Sequence, residues 1–120
     1  MKKILIIDDD ADLCREIAEI ISGEGFSVQV AANGFEGQKY ICANFYDAII
    51  VDYKMPGING VDILKFIKEK NIKTKVFVSS GRPFIEKILE DEKVSEIVTR
   101  VINKPFDIEN LLQEIKDTPA

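Results

Sequence analysis

Four short apolar runs, at residues 4–7, 48–51, 76–78 and 101–102, constrain this chain more than any other feature. They are too short to be buried helices and contain no polar alternation. Such runs mark strands covered on both faces, which is the condition of a parallel sheet. A fifth segment, residues 26–31, alternates apolar and polar and reads as an edge strand. Helical periodicity fills the gaps. Leu13, Cys14, Ile17, Ile20 and Ile21 form a stripe at steps of three and four, opened by Asp10 as N-cap and closed by Gly23 and Gly25. Asn33 and Glu36 have capping-box spacing for a second helix. Val61, Leu64 and Ile67 mark a third helix. A fourth starts near Pro83 and carries Ile85, Ile88 and Leu89. A fifth starts at Asp107 and buries Ile108, Leu111, Leu112 and Ile115, between Lys104-Pro105 and Pro119. Residues 92–100 fit either an extension of the fourth helix or a loop.

Five strands alternating with five helices predict an α/β fold with right-handed crossovers. The expected architecture is a flavodoxin-like five-stranded parallel sheet of order 2-1-3-4-5 with helices on both faces. Ligands of such sheets sit beyond the carboxyl ends of the strands, at the switch between strands one and three. Strand one ends in Asp8-Asp9, strand three in Asp52, strand four in Ser79-Ser80-Gly81, and strand five in Asn103-Lys104-Pro105. Three carboxylates, a hydroxyl and an ammonium therefore converge on one rim. Two like charges about 4 Å apart repel by about 4 kcal/mol at a surface-like dielectric. Such a cluster needs a cation or shifted pKa values. Carboxylate oxygens with room for water suit Mg²⁺, and a carboxylate beside Mg²⁺ suits phosphoryl transfer through an aspartyl phosphate.

Composition narrows the classes. The 120 residues suit one domain. The net charge of −5 argues against nucleic acid as a direct partner. No apolar run approaches a membrane span of about 20 residues, and Asp8-Asp9-Asp10 ends the first run too early for a signal peptide, so a cytoplasmic location is expected. The chain has no His, which excludes Ser-His-Asp triads and His bases. Cys14 and Cys42 have no metal spacing and are expected as reduced thiols in or near the core.

Residues 4–9, Asp52 to Gly60, Ser80-Gly81 and Lys104-Pro105-Phe106, in that order and spacing, resemble the receiver domain of two-component response regulators over essentially the whole chain. The resemblance implies a CheY-like fold over residues 1–120, without an output domain in this chain. It implies that Asp52 accepts a phosphoryl group from a phosphohistidine on a sensor kinase or phosphotransfer protein. It implies Mg²⁺ held by Asp9, Asp52 and the backbone carbonyl of Lys54, with Asp8 acting through water, and contacts from Ser80 and Lys104 to the phosphoryl oxygens. The implied role is signalling, with catalysis confined to the domain's own phosphotransfer and autodephosphorylation. Pro56 and Gly60 are expected to shape the loop into the third helix, Asn33-Gly34 to turn into the second, and Pro105 to follow a cis peptide bond. Output is expected at the face of strands four and five with their flanking helices, around residues 85–92 and Val101.

The sequence departs from the family's pattern in places. Ser80 stands where Thr is usual, and Val101 stands where an aromatic that swings inward is usual. No Gly-Ala pair precedes the fifth strand, so an unusual fourth helix is expected. Lys54 and Arg82, long and basic beside the rim, are candidates for tuning the lifetime of the phosphate; reversing both charges should change it. Three alternatives compete with this reading. In a haloacid-dehalogenase-like phosphatase Asp8 would be the nucleophile and Asp10 the acid/base, but Asp52 would be unexplained. A flavodoxin-like cofactor binder would not place three aspartates in its first loop. A degenerate receiver would act only as an interaction module.

Overall fold

The computed structural model describes residues 2–104 and 107–117. The five strands are β1 (Lys3–Ile7), β2 (Ser27–Ala31), β3 (Ala48–Asp52), β4 (Lys75–Ser80) and β5 (Arg100–Asn103). They form one parallel sheet of order β2-β1-β3-β4-β5, so β2 is an edge as its alternation predicts. The helices are α1 (Ala11–Gly23), α2 (Gly34–Ala43), α3 (Gly60–Glu69), α4 (Ile85–Asp91) and α5 (Ile108–Lys116), with a 3-10 turn at Ser95–Ile97.

Strand alternation divides the core in two. Ile4, Ile6, Ala48, Ile50 and Phe77 pack with Cys14, Ile17 and Ile21 of α1 and Leu111 and Ile115 of α5. Leu5, Ile7, Ile49, Val51, Val76 and Val78 pack with Ile41 of α2, Ile63, Leu64 and Ile67 of α3, and Ile85 and Leu89 of α4. Because both faces are covered, neither face could tolerate polar alternation, which is why the runs are unbroken. Side chains on one face recur every second residue. Asp8, Asp52 and Ser79 thus continue the α1/α5 face beyond Ile6, Ile50 and Phe77, and Ser80 continues the opposite face beyond Val78.

Caps set where the helices begin. Asp10 accepts from the Leu13 amide at 3.1 Å. Asn33 accepts from the Glu36 amide at 2.9 Å, but Glu36 returns its bond to the amide of Ala32 rather than to that of Asn33. A complete capping box opens α3, built on Asp rather than the usual Glu or Gln: Asn59 accepts from the Asp62 amide at 3.0 Å and Asp62 from the Asn59 amide at 3.1 Å.

Several expectations need correction. α4 starts at Ile85, not at Pro83; Phe84 precedes it in the left-handed region at φ 60°, without a side-chain cap. Residues 92–100 are neither helix nor simple loop. Lys93 turns the chain at φ 61°, the 3-10 turn follows, and β5 begins at Arg100. Ile20 is 37% exposed, because its position turns away from the sheet although it lies in the apolar stripe. Ile108 and Leu112 are only half-buried. Cys14 is buried, and burial followed by repulsion from Asp8 pushes its thiol up to about 12. Cys42 is exposed, one helical step off the buried Ile41. The Lys104-Pro105 peptide and the closing Pro119 lie outside the described residues. No helix among the described residues is long and apolar enough to cross a membrane.

Candidate functional site

The residues expected to carry the chemistry reach one cleft of about 470 Å³ beyond the carboxyl ends of β1, β3, β4 and β5, whereas Ser79 and Asn103 of the expected rim do not line it. Asp8, Asp9, Asp52, Lys54, Ser80 and Lys104 line it, together with Tyr53, Gly81 and Arg82. The sheet order causes this convergence. β1 and β3 are neighbours, with Ile7 opposite Val51, so the residues that follow them emerge side by side. β4 delivers Ser79 opposite Asp52 and β5 delivers Asn103 opposite Ser80.

Asp8 and Asp52 are buried, 4% and 5% exposed, while Asp9 is exposed. One oxygen of each of the three carboxylates lies within 4.8 Å of the others. Asp8 has both carboxylate oxygens engaged: its backbone amide donates to Ala31, one oxygen accepts from the Asp10 amide at 2.9 Å, and the other accepts from Lys104 at 3.2 Å. Lys104 Nζ also donates to Asp52 Oδ1 at 3.2 Å, bridging the two buried acids. Asp10 also lines the cleft, with one carboxylate oxygen engaged as the N-cap of α1.

One lysine does not neutralise three carboxylates. Burial, then repulsion from Asp8, raises the Asp52 pKa from 3.8 to about 6, against the lowering influence of Lys104 and the Lys54 amide. For Lys104, burial disfavours the ammonium, but Asp8 and Asp52 outweigh it and the net shift is upward. The protein thus meets the charge problem partly with its own cation and partly by weakening an acid. The remaining excess of hard oxygens, with Asp9 open to the cleft, fits a small divalent cation that keeps several waters.

Other side chains frame the opening. Ser80 Oγ accepts from the Arg82 amide at 2.9 Å, a local turn that holds the hydroxyl at the cleft. Arg82 lies 5.9 Å over the Tyr53 ring, a contact between two loops that no local sequence pattern marks. Gly60 packs against the chain just after β3, and its amide donates to the Tyr53 carbonyl at 3.0 Å. Val101 lies away from the cleft. It lines a second groove of about 360 Å³ with Glu86, Leu89, Glu90, Val98 and Arg100. Within the segment expected as surface, Ile85 and Leu89 are core residues, whereas Glu86, Lys87, Glu90 and Asp91 are exposed.

Comparison with known proteins gives a consistent answer. The sequence profile of the response regulator receiver domain matches residues 4–116. The response regulator ArlR of Staphylococcus saprophyticus is 30% identical over 97% of this chain and 51% of its own length. The sporulation initiation phosphotransferase F of Bacillus subtilis is 29% identical over 96% of this chain and 91% of its own. This chain spans about half the length of the curated regulators ArlR and DltR that it matches. Among solved structures, the receiver domain of Francisella response regulator 1452 superposes with a TM-score of 0.87 at 30% identity, covering 97% of this chain and 94% of that one. The response regulator TrrA of Thermotoga maritima, solved in complex with Mg(2+)-BeF, superposes with a TM-score of 0.85 at 26% identity, covering 99% and 100%.

Proposed function

The chain belongs to the response regulator receiver domain family, and on that premise we propose that it is a phosphoacceptor switch whose Asp52 takes a phosphoryl group from a histidine kinase or phosphotransfer protein. The observation that carries this reading is the pairing of Asp52 with Asp8 and Lys104 at the base of the cleft, within reach of Asp9. An Asp52 oxygen attacks phosphorus, the bond to the donor's imidazole breaks, and the imidazole nitrogen leaves with the electron pair. Asp9, Asp52 and the backbone carbonyl of Lys54 are the proposed Mg²⁺ ligands, with Asp8 acting through water. Bound there, Mg²⁺ neutralises charge on the transferring group. Lys104 trades its bond to Asp52 for one to a phosphoryl oxygen, and Ser80, whose oxygen accepts from the Arg82 amide, donates its O–H to another. Catalysis extends only to the domain's own phosphorylation and its reversal.

Residues 1–120 act as one receiver unit in the cytoplasm. The added charge of about −1.5 to −2 shifts the population of the loops around Ser80 and Lys104. The partner or output domain then reads the α4–β5–α5 face, including the groove beside Val101. With Val101 there, output relies on the backbone and on α4 rather than on a swinging aromatic.

Intact mass after incubation with acetyl phosphate tests this reading. Wild type gains one phosphoryl group only with Mg²⁺, and Asp52→Asn gains none. Failure of wild type to gain the group would overturn it, as would a label that survives Asp52→Asn and is lost in Asp8→Asn.

A further inference from the structure

Ser79 is 1% exposed, and its hydroxyl finds no hydrogen-bond partner among the described residues. A buried unpaired hydroxyl is costly and uncommon, and where one persists it calls for a cause. Its position supplies one. Ser79 shares the α1/α5 face of the sheet with Asp52, its registered neighbour on β3, and with Ile102, its registered neighbour on β5. Lys104 follows Ile102 by two residues on that same side. To reach Asp52 on β3 and Asp8 on β1, the Lys104 side chain must cross β4, because β4 lies between β5 and β3. Gly81 lies beside the start of that path, since a Cβ there would stand 3.9 Å from the Lys104 Cβ, and Ser79, two residues earlier on the same face, stands beside Asp52, where the path ends. An ammonium has three N–H donors, and Lys104 uses two on the carboxylates. The third donor and the unpaired Ser79 oxygen complement each other. A staggered rotation about the Ser79 Cα–Cβ bond is enough to re-aim the oxygen.

We propose that Ser79 is a positioning residue for phosphoryl transfer, accepting a hydrogen bond from Lys104 when phosphorylation of Asp52 takes that carboxylate away as a partner. This rests on the receiver reading above and deepens it. In the unphosphorylated protein Lys104 is held by Asp8 and Asp52 and the hydroxyl stays unpaired. Once an Asp52 oxygen is bonded to phosphorus, its charge is gone. The Ser79 oxygen then keeps the ammonium low over β4, with its remaining N–H groups directed at a phosphoryl oxygen. Ser79 does not line the cleft and does not touch the incoming group; it acts through Lys104.

The test is the rate of Mg²⁺-dependent phosphoryl uptake from acetyl phosphate in wild type, Ser79→Ala, Ser79→Thr, Lys104→Ala and the double variant Ser79→Ala/Lys104→Ala. Ser79→Ala slows the saturated rate about 3- to 10-fold with little change in the half-saturating acetyl phosphate concentration, and Ser79→Thr restores the rate. In the Lys104→Ala background Ser79→Ala has no further effect, because the two residues act as one unit. Ser79→Ala also raises the urea midpoint of the unphosphorylated protein, since it deletes an unpaired buried hydroxyl. A purely structural serine would not combine higher stability with slower transfer. Equal rates in wild type and Ser79→Ala would overturn the proposal, as would a Ser79→Ala effect of full size without Lys104; either result leaves the receiver reading standing. Absence of uptake in wild type overturns both.

Discussion

In metal-free buffer at pH 8, Asp52→Asn raises the free energy of unfolding by about 2–3 kcal/mol, at about 1.4 kcal/mol per pKa unit. The cause is the buried carboxylate itself. Its pKa in the fold is about 6 against 3.8 for the free group, because burial and Asp8 oppose its charge more than Lys104 supports it. The protonated acid is thus the form that the fold prefers. Its contribution is fully present below about pH 4 and disappears as pH rises through about 6. Asn keeps an acceptor for Lys104 without the charge, so the gap between variant and wild type opens across that window and is complete by pH 8. Urea unfolding at pH 4 and pH 8 checks it. Added Mg²⁺ narrows the gap by stabilising wild type more than Asp52→Asn; at 100 times its dissociation constant a ligand contributes about 2.7 kcal/mol, comparable to the gap itself. A variant less stable than wild type at pH 8 without metal would show that Lys104 outweighs both burial and Asp8.

Gly60→Ala costs about 3 kcal/mol and lowers phosphoryl uptake by at least about 10-fold. A Cβ at Gly60 would stand 2.6 Å from the Asp52 carbonyl oxygen and 2.7 Å from the Tyr53 Cα. Both are backbone atoms and cannot swing aside. Either α3 retreats with its capping box, or the end of β3 moves and carries the Asp52 carboxylate off its bond with Lys104. The loss of function comes with the loss of stability because one backbone contact sets both. Gly81→Ala is the control: its Cβ would meet Lys104 atoms at 3.9 Å, an ordinary contact, so its stability change is small. Urea midpoints and uptake rates for the two variants separate the close approach from a general intolerance of substitution.

The legible parts of this chain were those where one physical constraint acts on several residues at once. Unbroken apolar runs required a sheet covered on both faces, and the residues ending those runs had to share a rim. Asp8, Asp9, Asp52, Ser80 and Lys104 are therefore brought together by topology alone. Single-residue choices were harder to read. Phe84 and Lys93 adopt left-handed backbone, a conformation that side chains of their type do not advertise. Pro83 suits a first helical turn but here precedes the turn through Phe84. Cys42 is apolar and borders a buried stripe, yet one helical step of about 100° carries it to solvent. The role of Ser79 depends on the face it occupies, which the Phe77 alternation fixes only once β4 is known to run to Ser80. Tyr53 under Arg82 depends on two loops meeting, a contact between distant segments that no local pattern encodes.

Mapping the phosphorylated residue tests the central claim most directly. Wild type is incubated with acetyl phosphate and Mg²⁺, then reduced with borohydride, which converts an acyl phosphate to an alcohol and leaves homoserine in place of the aspartate. Peptide mass spectrometry then reads the position. The account predicts homoserine at position 52 and nowhere else. Homoserine at position 8 or 9, or phosphate retained on a serine after reduction, would contradict it.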